Sequence, residues 1–208
     1  MRLRSLILAT AVLAIPSTSF SQGDSRVVVI PSAVIAFQPA DKSWGSPYLT
    51  GHLGGLGWGA SLAVLAERGR FVVGGEINSA RYEKELSGRL VSSLDENHVP
   101  IPVRVTFQES IVAALFGYSG RNIHVLGGPG VTLGTPQFEG RNRSPDAPDH
   151  WFVLTGGLDV FLPASRQMQF AIGARYFHIF GTSGRFSTLG LQDSGLRATV
   201  GVSFGSAK

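Results

Sequence analysis

The sequence predicts an all-β protein, a closed antiparallel up-and-down transmembrane barrel of about eight strands. Three observations predict it. Apolar residues recur with a period of two through most of the chain, and glycines break every stretch that could keep a long helical period. Short and long connections between these stretches alternate strictly, as they do in outer-membrane barrels with tight turns at one end and long loops at the other. Charged residues are only 15% of the 208 residues and Gly numbers 27, against roughly 25% charged and about 7% Gly in ordinary soluble domains. A mean hydropathy of +0.16 is too low for a bundle of membrane helices. It fits apolar residues spread over alternate positions.

The chain opens with a leader pattern. Arg2 and Arg4 form a basic start, Leu6 to Ile15 a short apolar run, and Ser19 and Ser21 the small residues before a cut at Gln22. The apolar run is about ten residues, half of the ~20 that a spanning helix needs. Residues 1–21 are therefore expected to be a signal peptide and residues 22–208 one barrel domain. Removing Arg2 and Arg4 lowers the formal charge from +4 to 4 − 2 = +2. That is too weak a field to argue for nucleic acid as a partner. With no Cys, disulfides, thiolate metal sites, thiol nucleophiles and a lipid-anchored N-terminal cysteine are excluded.

The strands follow in order. Val27 to Phe37 is the least regular, and its Pro31 suits an end or a bulge. Leu56, Trp58, Ala60, Leu62 and Val64 form an apolar row against Gly57, Gly59, Ser61 and Ala63. Phe71, Val73 and Ile77 alternate with Val72, Glu76 and Asn78, and the strand could run on from Glu76 to Leu90. Val103, Val105, Phe107, Ile111, Ala113 and Leu115 alternate with Arg104, Thr106, Gln108 and Ser110. Ile123, Val125, Val131 and Leu133 lie opposite Asn122, His124, Gly128 and Thr132. Phe152, Leu154, Leu158, Val160 and Leu162 lie opposite Thr155, Gly157 and Asp159. Met168, Phe170, Ile172, Ala174 and Tyr176 face away from Gln167, Gln169, Ala171, Gly173 and Arg175. The last strand sets Leu196, Ala198, Val200, Val202 and Phe204 against Arg197, Thr199, Gly201 and Ser203. Tight turns fall at Glu67-Arg68-Gly69, Ser119-Gly120-Arg121 and Pro163 to Arg166, and long connections at about Pro39–Thr50, Arg81–Pro102, Thr135–His150 and Gly181–Ser194. This parity puts both termini at the tight-turn end, which is the periplasmic one in outer-membrane barrels.

Alternation alone also fits a soluble lipocalin-like barrel, apolar inside and wet outside. The polar rows decide between the two. A water-facing wall carries abundant Lys and Glu, whereas these rows hold Gly, Ala, Ser, Thr and Gln, and Lys occurs only at Lys42, Lys84 and Lys208. Small polar side chains fit the narrow bore of an eight-stranded barrel. The bulky apolar rows are therefore expected to face lipid. Glu76, Asp159, Arg175 and Arg197, joined by Arg104, then fall on the inward rows as a lumen charge network. Charges in so dry a place are expected to pair, either as a structural plug or as an ion path or gate. Trp58, Trp151 and Tyr176 are candidates for the aromatic girdles at the membrane boundaries.

The leader, the alternating strands and the terminal LRATVGVSF ending at Phe204 together resemble the small outer-membrane β-barrel families of the OmpA/OmpX type. Gly55 to Leu65 and Phe71 to Glu83 look like a recurring hairpin of uncharacterised members. The resemblance implies location in a bacterial outer membrane after Sec-type export. It makes Phe204 the assembly signal read by the barrel-insertion machinery, four residues before the end of the chain. Partners implied are outer-membrane lipid, lipopolysaccharide and an extracellular partner reached through the long loops.

No chemistry stands out. Some barrels of this class are lipid A deacylases with a His and a Ser two residues apart on a strand. The matching stretch here is His178-Ile179-Phe180, and a phenyl ring gives the histidine no hydroxyl to activate. His52, His98, His124, His150 and His178 are scattered without metal-ligand spacing. Gly127 to Gly130 lacks the Lys-Ser/Thr ending of a phosphate loop. No cofactor is implied. The expected function is a non-enzymatic barrel with a structural or surface-interaction role. A narrow pore for small solutes, a lipid A-modifying enzyme and a soluble ligand binder are the alternatives, in that order.

Overall fold

A computed structural model describes residues 25–39, 49–50, 55–89, 100–138, 149–165, 168–180 and 194–205. The leader at 1–21 lies outside them. The described residues form nine strands: β1 (Ser25–Gln38), β2 (Leu49–Thr50), β3 (Gly55–Arg68), β4 (Phe71–Arg89), β5 (Pro100–Ser119), β6 (Ile123–Phe138), β7 (Asp149–Pro163), β8 (Met168–Phe180) and β9 (Ser194–Gly205). Eight of them pair antiparallel in the ring β1-β3-β4-β5-β6-β7-β8-β9, and β9 closes on β1. β2 is a two-residue addition to the far end of β4, where Leu49 pairs with Gly88.

Following the pairings once around fixes the stagger. Ala36 leads through Arg197, Arg175, Gly157, Leu126, Gly117, Val72 and Glu67 to Arg26. The path returns to β1 ten residues below its start (36 − 26 = 10). With a rise of about 3.3 Å and a strand spacing of about 4.8 Å, eight strands staggered by ten residues tilt about 40°. Such a bore is just wide enough for side chains to fill.

The tight turns lie at one end, together with the start of β1 and the end of β9. Gly69 and Arg70 join β3 to β4. Gly69 has φ 61°, the left-handed region that the first central residue of a type II′ hairpin needs. The Glu67 and Arg68 expected in that turn instead lie in β3. At the other end β4 and β5 run on to Arg89 and from Pro100, paired throughout, so this connection is shorter than the Arg81–Pro102 loop expected. Pro31 makes neither an end nor a bulge. β1 pairs continuously with β3, while its pairing with β9 lapses between Val29 and Ser32, where proline has no N–H to give.

The two faces of the wall differ sharply. The outward rows expose large apolar side chains on every strand of the ring, among them Ile35, Leu56, Phe71, Phe116, Val125, Leu154, Phe170 and Val200. A continuous apolar belt of this kind is foreign to a wall bathed in water and has the opposite sense to a lipocalin-like barrel. In β8, Phe170 and Phe180 are ten positions apart, about 25 Å along the axis at this tilt, which is the usual height of such a belt.

One strand is reversed relative to expectation. In β5 the row Ile111, Ala113, Leu115 is buried inside the barrel, and Ala114, Phe116 and Tyr118 face outward. The reason is Glu109, which shares the inward row and is fully buried. A carboxylate in the middle of an apolar row cannot face hydrocarbon, so the row carrying it must line the lumen.

Candidate functional site

The middle of the lumen is a chain of charges. Arg175 of β8 and Arg197 of β9 are direct cross-strand partners. Like charges in that position repel, so the pair needs carboxylates on the neighbouring and facing strands. Asp159, on β7 beside β8, takes Arg175 in a two-pronged grip. Nη1 donates to Oδ1 at 2.8 Å and Nη2 to Oδ2 at 2.7 Å. Glu76, across the bore on β4, accepts from Arg175 Nε at 3.0 Å. Arg197 donates from Nη1 to the backbone oxygen and the Oδ1 of Asn78, both at 2.7 Å, and from Nη2 to Glu109.

Two neutral groups join these clusters. Asn78 Nδ2 donates to Glu76 Oε1 at 2.8 Å, and Thr132 Oγ1 donates to Glu109 Oε1 at 3.3 Å. One hydrogen-bonded line thus runs Asp159–Arg175–Glu76–Asn78–Arg197–Glu109–Thr132, touching β4 to β9. It sets three carboxylates against two guanidiniums, all buried. Gly173 makes room for it, since a Cβ there would stand 2.2 Å from Asp159 Oδ1.

Buried apolar side chains flank the charges on both sides along the bore. Phe177, Ile179 and Val153 lie toward the loop end, with the Phe177 ring centroid 5.1 Å from the Arg197 guanidinium carbon. Val28, Leu65 and Phe161 lie toward the turn end. There His124 Nε2 sits 3.1 Å from Glu67 Oε1, and its ring is 4.5 Å from that of Phe161. Between Arg175, Arg197, Glu76, Asn78 and Phe177 remains a small cavity, with room for about one water. Dense ion pairing and little free space suit a filled core far better than a channel.

The sequence-predicted residues fall as follows. Glu76, Asp159, Arg175 and Arg197 come together in the line just described. The Arg104 side chain lies outside the described ones. Trp58 and Tyr176 face outward, about 65% and 54% exposed. Trp151 does not, because it is half-buried and packs against the core from the inward row. The reason is parity: Trp151 shares its side of β7 with Val153, Thr155 and Asp159. Phe204 faces outward near the end of β9. Glu109, Asn78, Thr132 and the His124–Glu67 pair were missed. The carboxylate interrupting the apolar row of β5 was the signal for Glu109. His178 lies on the outward row of β8, its ring edge-on to Phe180 at 4.6 Å.

No protein-family model and no curated protein matches the chain. Solved structures do. The crystal structure of Ail, the attachment invasion locus protein of Yersinia pestis, in complex with the heparin analogue sucrose octasulfate, aligns with TM-score 0.53 and 14% identity, over 88% of this chain and 99% of that one. A major outer membrane protein from Thermus thermophilus aligns with TM-score 0.54 and 10% identity, over 87% and 99%. The chain therefore has the closed eight-stranded fold of small outer-membrane barrels, and at such low identity the likeness speaks for the fold alone.

Proposed function

We propose that the protein is an integral outer-membrane barrel with a structural or surface-interaction role and no catalysis of its own. It is exported with cleavage near Ser21, and its last strand, with Phe204 near its end, is read by the insertion machinery. The observation that carries this reading is the pairing of an apolar outer belt with a lumen closed by buried ion pairs. The belt asks for hydrocarbon around it. The ion pairs and the apolar side chains above and below them crowd the described part of the bore, which favours the structural reading over a narrow pore.

Three measurements test the reading. After carbonate and high-salt washing, the protein stays in the outer-membrane fraction; release into the wash would overturn membrane integration. Purified and inserted into a planar bilayer, it gives no stable open current; a steady conductance would replace the structural role with the pore. Lipid A mass spectra should be unchanged by expression of the protein; a shifted acyl pattern would replace the non-enzymatic role with a lipid-modifying activity.

A further inference from the structure

The wall of the ring is not equally knit all round. Among the described residues, six of its eight ladders run without a break. The other two lapse in mid-strand. Between β9 and β1 the pairing stops at Val29 with Phe204 and resumes at Ser32 with Gly201. Between β5 and β6 it stops at Ala113 with Gly130 and resumes at Phe116 with Gly127. A proline stands in each lapse, Pro31 in the first and Pro129 in the second. Each stays paired on its other side, with Leu62 and with Leu154. Proline has no N–H for the ladder, and hydrocarbon offers no water to replace the lost bond. The bore is under-bonded at both places too. Ser203, within the first lapse, is buried with no hydrogen-bond partner for its hydroxyl. Ala113, at the edge of the second, lines the small cavity.

The two lapses lie on opposite sides of the ring. They divide it into two four-stranded shells, β1-β3-β4-β5 and β6-β7-β8-β9. The lumen contacts follow the same division. Arg175, Arg197, Thr132 and His124, all on the second shell, meet Glu76, Asn78, Glu109 and Glu67, all on the first. We propose that the barrel is a clamshell: the two half-walls part at the β9–β1 seam by bending at the β5–β6 seam, and the lumen contacts are the clasp. A closed ring cannot part along one line without bending along another, and the second lapse is the softest line left. A tight turn keeps β5 joined to β6, with the Gly120 N–H donating to the Ile123 oxygen at 2.7 Å. No such turn joins β9 to β1. The device needs the closed ring alone and does not depend on a surface role.

The test is hydrogen exchange of the full mature barrel in detergent micelles, read by mass spectrometry. In the wild type, amides at 28–34 and 200–204 exchange about tenfold faster than those at 62–64 and 75–77, inside the first shell. The chain lacks cysteine, so paired cysteines form only the intended disulfide. Val112→Cys with Val131→Cys, directly opposite across the β5–β6 seam, locks the hinge. Oxidised, this variant exchanges about fivefold more slowly at the β9–β1 seam than its own reduced form. Leu62→Cys with Ile77→Cys, opposite within the first shell, shows no difference there on oxidation. Comparing each protein with its own reduced form removes any effect of the substitutions on folding. Glu76→Gln loosens the clasp at Arg175, and it speeds exchange at both seams while leaving the interior of the shells unchanged. Even exchange round the ring, a hinge disulfide without effect at the far seam, or a Glu76→Gln variant that speeds all eight strands alike overturns the proposal, and the prolines then mark local gaps only.

Discussion

At the scale of single residues, the lumen shows why a buried charge is tolerated only as part of a set. Arg197 has almost no contact with solvent, and its partners Asn78 and Glu109 reach it from strands across the bore. Removing one member of a buried pair costs more than the pair contributes, because the other charge stays behind undissolved. Arg197→Ala should therefore destabilise the barrel by about 3–5 kcal/mol, read from urea unfolding in lipid vesicles. The double variant Arg197→Met with Glu109→Leu should recover much of that loss. A single variant as stable as wild type would mean that the pair is not desolvated. Gly173 is a second lever. Its missing Cβ is the space that Asp159 occupies, so Gly173→Ala must displace the carboxylate from Arg175 and cost about 1–3 kcal/mol, by the same unfolding measurement.

At the scale of the element, β5 carries the clearest lesson. Its odd-numbered row and its even-numbered row are both apolar toward the turn end: Ala113 and Leu115 on one, Ala114 and Phe116 on the other. Hydropathy cannot choose between them, and Glu109 does. The chain lacks cysteine, so single cysteines report without background. Spin labels at Ala114→Cys and Phe116→Cys should meet lipid-dissolved oxygen. Labels at Ala113→Cys and Leu115→Cys should be shielded or disrupt folding. The reverse pattern would turn the strand over. The long β4–β5 hairpin adds a second point: nineteen and twenty residues exceed the 9–11 that a tilted strand needs to cross. Its far half is therefore expected to rise beyond the membrane, where Pro100 and Pro102 are harmless to β5.

At the scale of the whole molecule, closure turns eight amphipathic strands into one wall with no open edge in the belt. On the export reading, the mature protein begins at Gln22, which intact-mass measurement of the membrane-extracted protein checks; a mass that includes residues 1–21 would remove the leader from the reading. Much of this architecture is local in origin. Side-chain alternation, turn glycines and connection lengths are properties of neighbouring residues, and so the sequence alone determined the strand count, the tight turns and the inside and outside of six strands. The stagger of ten residues is different, because it is a property of the closed ring. It brings Arg175 to Glu76, 99 residues away, and Arg197 to Glu109, 88 away. The facing of β5 and the inward packing of Trp151 also had local marks, in Glu109 and in the side that Trp151 shares with Thr155 and Asp159; which charges meet was decided only by the tertiary structure, because register is set by all eight strands closing together and leaves no mark on any one of them.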